Sequence, residues 1–247
     1  MITLRKAAER GSFDHGWLDT RHTFSFAEYQ DPGHMGFRSL RVLNEDRVQP
    51  GEGFGRHGHK DMEILTWVLE GALEHQDSLG NTGVLKPGWM QRMSAGTGIM
   101  HSERNAGDKE GLHFLQIWII PNRRGVAPRY EDREFTRESL HNRLRLLVSP
   151  DGAEGSFTLY QDARMYAALL DAGAEVTLEA AEGRGIWVQA ARGKIALGHG
   201  FSKGKNGMEC AGEWTELEAG DGAAAEKERK LTFRAETPSE LLVFDLA

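Results

Sequence analysis

Four side chains stand out for what they could do together. In the stretch Gly51 to His59, His57 and His59 lie two residues apart, and in Gly96 to Asn105, His101 and Glu103 repeat that spacing. Successive side chains of a strand point to opposite faces, so residues i and i+2 share a face and can converge on one ion. Either pair alone is weak, because paired polar residues also decorate solvent-facing strands. Two pairs, each just beyond a glycine-rich stretch, read as three imidazoles and a carboxylate around one metal. The single cysteine, Cys210, excludes a cysteine-rich site, so the donors are nitrogen and oxygen. That set suits one divalent transition metal per chain: iron, manganese, cobalt, nickel, copper or zinc. With four protein ligands an octahedral ion keeps two open positions, which a chelating substrate and dioxygen need. Free histidine titrates near 6.5, so metal affinity is expected to fall below about pH 6.

Two carboxylates compete for the fourth position. Glu103, two residues from His101, lies about 7 Å from it along an extended strand, close enough for both tips to reach one ion. Glu63 is four residues from His59, about 13 Å, and reaches the ion only if the chain bends or bulges between them. The spacing therefore favours Glu103 as ligand and leaves Glu63 as the candidate catalytic base beside the metal.

The elements that must position these residues read as short strands. Residues 39–44, 63–71, 113–120, 143–149, 185–193 and 240–247 are apolar or alternating over strand lengths, and Gly, Pro and Asp turns separate them. The fold class is all-β, with short connecting helices at most, around 130–142. An internal repeat organises the chain: VLEG (68–71) ends a strand, followed by a Gly/Asn hairpin and LKPGWMQRMSAGTG, and AARG (190–193) begins a looser copy. The expected domains are 1–135, carrying the metal site, and 136–247, metal-free, since His199 and Cys210 have no partner at ligand spacing.

Further readings are less sharp. Alternation puts His22, Phe24 and Phe26 on one face, either at a pocket mouth or on an edge strand with an incidental histidine. His75 and Asp77 repeat the ligand spacing, but Ser78, Gly80 and Asn81 beside them favour turn chemistry. Phe114, Gln116 and Trp118 share a face, as ordinary core or as a surface for a flat substrate.

Composition bounds the partners. The 247 residues carry 30 Lys and Arg against 37 Asp and Glu, a net charge of −7, and no basic cluster interleaved with aromatics, so direct nucleic-acid binding is not expected. The opening MITLRKAAERG holds no apolar leader core, and no apolar run is long enough to span a membrane. A cytoplasmic protein is the expectation.

The chain resembles the pirin-like family of the cupin superfamily. The resemblance rests on HTFSF (22–26), MGFRSLRVLNED (35–46), HGHKDMEILTWVLEG (57–71), EHQDSLGN (74–81) and MSAGTGIMHSERN (93–105), and covers about residues 1–135 closely. It departs from the general cupin pattern in having seven residues, not six, between Glu63 and Gly71, which shifts the strand register by one. The resemblance implies a bicupin, two tandem cupin-type β-barrels of sandwich or jelly-roll design, the second degenerate. It implies one metal, usually iron, in the first domain, and places the ligand carboxylate after the third histidine, at Glu103. It also implies a quercetin 2,3-dioxygenase activity that cleaves a flavonol or similar chelating aromatic enol with dioxygen, releasing carbon monoxide. The alternative within the family is a non-catalytic regulator whose metal senses redox state and alters a protein-binding surface. An enzyme should show a solvent-connected, partly apolar cavity over the metal.

Overall fold

The computed structural model describes residues 1–203 and 209–247, with Lys203, Glu209 and Cys210 described in backbone only. The chain forms two compact units, one of residues Arg10–Phe135 with Phe157–Asp162, the other of Met1–Glu9, Thr136–Ser156 and Ala163–Ala247. Among the described residues, no helix is long and apolar enough to cross a membrane.

The first unit is a sandwich of two antiparallel sheets. The larger runs Arg129–Glu134, Trp89–Ser94, Glu63–Glu70, Leu112–Ile119, Leu40–Val48, Leu18–His22, Gly11–Asp14, and the smaller Gly53–His59, Ile99–Asn105, Leu73–Asp77, Thr82–Leu85. Neither sheet closes on itself, so the sandwich description applies rather than a closed barrel. The inner faces meet in a core of Val48, Val68, Leu112 and Phe114 from the large sheet and Leu73 and Leu85 from the small one. Glu63–Glu70 is buried along nearly its whole length because it is central and covered on both faces. Ile99–Asn105 instead alternates, with Ile99, His101, Glu103 and Asn105 buried and the residues between them facing out. That alternation carries the second ligand pair inward.

The second unit repeats the strand order. Its large sheet contains Ile2–Arg5, Gly222–Glu226, Gly185–Arg192, Ser239–Leu246, Ala163–Leu170 and Arg145–Ser149 in that order, and its small sheet runs Glu175–Glu179, Lys230–Ala235, Lys194–His199, Glu213–Glu218. Glu175–Glu179 and Lys230–Ala235 occupy the places that Gly53–His59 and Ile99–Asn105 hold in the first unit. Where those carry histidines, these place Leu178, Leu231 and Phe233 in an apolar core with Ile195 and Leu197. The expected connecting helix is Arg137–Leu140, capped by Thr136, whose hydroxyl accepts from the Ser139 N–H at 3.3 Å. The charged stretch before it, Arg129–Glu134, is a strand paired to Trp89–Ser94.

Candidate metal centre

His57 and His101 face each other across neighbouring strands, with Ile99 opposite His59. Gly53–His59 can lie this close because Gly53 has no Cβ: one placed there would stand 2.4 Å from Arg104 Cα and from the Glu103 carbonyl oxygen. A bulge between His101 and Glu103 shifts the register of this pairing. Three imidazoles thus gather, with ring centres 4.8 Å (His57 to His59), 4.4 Å (His57 to His101) and 4.9 Å (His59 to His101) apart. Each offers one donor nitrogen, all within 4.8 Å of one another. His59 Nε2 and His101 Nε2 approach to 3.0 Å. The His57 ring N–H at Nδ1 donates to the Gly55 carbonyl at 2.8 Å, which leaves the Nε2 lone pair free.

Burial keeps two of these rings neutral. Loss of solvent, followed by the neighbouring His101 and His57, brings His59 down to about 4 against the opposing pull of Glu103. His101 falls to about 3, again through burial first and then His57 and His75. Neutral imidazoles are the form that binds a metal.

Glu103 is 2 % exposed and held on both oxygens. Oε1 accepts from Gln91 Nε2 at 2.5 Å and lies 3.2 Å from Thr66 Oγ1, and Oε2 accepts from Gln116 Nε2 at 2.8 Å. These donors come from three strands of the large sheet in one row: Gln91 is opposite Thr66, and Thr66 opposite Gln116. The row extends to Asn44, opposite Gln116, and to His22, opposite Asn44.

Three members of that row, Gln116, Asn44 and His22, line one solvent-connected cavity of about 210 Å³. His57, His59, Glu103 and Gln116 border it with Thr20, His22, Asn44 and Asp46, against Phe26, Phe54 and Trp118. Trp118 stands edge-on to His59 at 4.9 Å, and Phe26 edge-on to Trp118 at 5.4 Å. Asp46 accepts from Thr20 Oγ1 at 2.5 Å, yet complete burial, with Glu103 and Glu45 nearby, pushes it up to about 7.

Glu63 is elsewhere. The chain turns at Asp61, φ +47°, and passes from the small sheet to the large one, so the spacing from His59 no longer fixes which way Glu63 faces. Glu63 lies three residues from Thr66, whose hydroxyl lies against Glu103, an odd separation that puts Glu63 on the sheet's opposite face. There it accepts from Ser94 Oγ at 2.8 Å, with Arg92 and Arg129 nearby. It does not border the described cavity.

The less sharp readings divide. His22 and Phe26 reach the cavity, whereas Phe24 is buried outside it; Gln116 and Trp118 line it, whereas Phe114 joins the core. Asp77 does cap its turn, accepting the Leu79 and Asn81 N–H groups at 2.8 and 3.0 Å. His75, however, is fully buried, stacks on Tyr130 at 4.2 Å and forms a second donor group with His101 and Glu103. Spacing alone missed Thr66, Gln91, Asn44 and Asp46; a polar residue inside an apolar run, as in EILTWVLE, is the signal that could have found them.

Comparison with known proteins places the chain among relatives. Residues 3–119 match the family model described as Pirin, and residues 146–246 the one described as Quercetinase C-terminal cupin domain. A protein of Escherichia coli K12 named quercetin 2,3-dioxygenase is 47% identical over 247 residues, spanning 100% of this chain and 99% of that one. A crystal structure of a bacterial pirin from Escherichia coli in complex with nickel(II) matches with a TM-score of 0.87 at 45% identity, covering 100% of this chain and 99% of that one. The structure of an Acinetobacter baumannii quercetin 2,3-dioxygenase shares the fold, with a TM-score of 0.74 at 19% identity over 98% of this chain and 85% of that one.

Proposed function

The chain belongs to the pirin family, and from that membership we propose that it is a metal-dependent dioxygenase of the quercetin 2,3-dioxygenase type, with one divalent ion held by His57, His59, His101 and Glu103. The donor chemistry fits. Two neutral imidazoles, His101 buried and His59 half-buried, bring their Nε2 atoms within 3.0 Å, near enough for both to turn a lone pair to one cation. The nickel complex of a relative supports a divalent ion; iron is our choice for the working metal. When bound, the metal supplies Lewis acidity toward an enol oxygen and a path for electrons between substrate and dioxygen.

The protein's own groups do the rest. Gly55 fixes the His57 tautomer through its carbonyl. Gln91, Gln116 and Thr66 orient Glu103, so the carboxylate stays in place as charge on the substrate changes. Phe26, Phe54 and Trp118 offer flat apolar surface to an aromatic ring and keep water from the reacting face. Glu103 is the carboxylate that borders both the histidines and the cavity, and it replaces Glu63 as the group placed to take the enol proton.

One observation favours an enzyme over a metal-sensing regulator: His57, His59 and Glu103 open onto a solvent-connected cavity with an aromatic side. A regulator needs no such space. The test is anaerobic reconstitution with each divalent metal in turn, followed by oxygen uptake on quercetin. Uptake with release of carbon monoxide supports the reading, and no uptake with any metal points to the regulator with its protein partner.

A further inference from the structure

The polar row across the large sheet is satisfied at one end and bare at the other. Gln91, Thr66 and Gln116 are hydrogen-bonded to Glu103 and to each other, Gln91 Nε2 reaching Thr66 Oγ1 at 2.9 Å, and Gln91 Oε1 accepts from the Tyr130 hydroxyl at 3.2 Å. Past Gln116 the row continues to Asn44, 3 % exposed, and His22, 6 % exposed. Among the described residues, Asn44 Oδ1 and His22 Nδ1 are buried without a hydrogen-bond partner. Buried polar atoms are nearly always paired, by protein, water or ligand, so two neighbouring bare atoms on a cavity wall mark where something else binds.

We infer that Asn44 and His22 read the ring hydroxyls of a planar aromatic enol whose chelating oxygens face His57, His59 and His101. This rests on the proposed dioxygenase reading and adds the part of the substrate that is recognised. A hydroxyl can donate to Asn44 Oδ1, and it can pair with His22 Nδ1 in both tautomers, accepting when Nδ1 carries the proton and donating when it does not. Burial, with His15 and Arg10 adding to it, brings His22 down to about 4, so the ring meets the substrate uncharged. Phe26, edge-on to His22 at 5.2 Å and to Trp118 at 5.4 Å, links this polar wall to the aromatic one, so one ring face is held while its rim is read. A cavity built this way separates hydroxylated from bare rings, because a bare ring leaves both polar atoms unpaired.

The test uses nickel-loaded protein without oxygen, so that binding is read apart from turnover. Equilibrium binding of quercetin is compared with that of 3-hydroxyflavone, which keeps the chelating oxygens and lacks the other hydroxyls. The wild type should prefer quercetin. Asn44→Leu and His22→Phe should each weaken quercetin about tenfold, the size of one neutral hydrogen bond, and leave 3-hydroxyflavone and metal content unchanged. His22→Phe keeps a ring among Phe13, Phe26 and Tyr29, so it carries the test should Asn44→Leu fail to fold. Equal weakening of both ligands, or no preference in a wild type that turns quercetin over, would overturn the assignment of this wall alone. Failure of the wild type to bind either ligand would overturn it together with the flavonol reading.

Discussion

A carboxylate clamped on both oxygens by neutral donors keeps its direction when a metal arrives, whereas a free one must be ordered first. Glu103 is of the first kind and Glu63 is set among cations on the other face of the sheet. Glu103→Gln should therefore lose at least about tenfold in metal affinity, and Glu63→Gln should keep its metal while losing about 1–3 kcal/mol of stability as Arg92 and Arg129 lose a buried partner. Elemental analysis and urea unfolding of the two variants check this. The pH at which metal leaves is a second residue-scale outcome. A free imidazole would protonate near 6.5, but His59 stays neutral until about 4 and His101 until about 3, so proton competition at these two rings is postponed. Retention at pH 5.5 and loss near pH 4 are expected, lower than the spacing argument alone suggests. Asp46 has the opposite sign: its folded-state value is raised to about 7, so stability is lost as the pH rises from the ordinary carboxylate range, where the unfolded chain ionises first, up to about 7. Asp46→Asn should accordingly raise the Tm at pH 8 relative to the wild type, with a smaller gain at pH 5.

At the scale of strands, the centre depends on how closely Gly53–His59 lies against Ile99–Asn105. A Cβ at Gly53 would meet Arg104 Cα and the Glu103 carbonyl at 2.4 Å, so Gly53→Ala must push the two strands apart. The expected cost is about 1–3 kcal/mol, together with weaker metal binding because His57 moves from His101. Gly55→Ala, where nothing lies within 4 Å of the added Cβ, is the matched control. Parity decided what the sequence disclosed here. That His57 shares a strand face with His59, and His101 with Glu103, was legible because each pair lies within one strand, where spacing fixes the face. Glu63 was not, because the bend at Asp61 intervenes and the chain changes sheet between it and His59. Thr66, Gln91, Gln116, Asn44 and His22 form a row only through pairing of strands distant in sequence, a register that no local pattern states.

For the whole molecule, the repeat was legible as two runs of strand, hairpin and strand, and the matching strand orders of the two units express it. What turn patterns alone could not give was the place of Ile2–Arg5, which pairs with Gly222–Glu226 across more than two hundred residues. The units differ in what fills the corresponding interior, histidines and Glu103 in one and Leu178, Leu231 and Phe233 in the other. From that difference we predict about one tightly bound metal ion per chain, held in the first unit, which elemental analysis checks. The most direct measurement is anomalous diffraction at the metal edge from crystals of the reconstituted chain. A single peak bounded by His57 Nε2, His59 Nε2, His101 Nε2 and a Glu103 oxygen is the predicted result; a peak that excludes Glu103, or one of equal height in the second unit, would contradict the account.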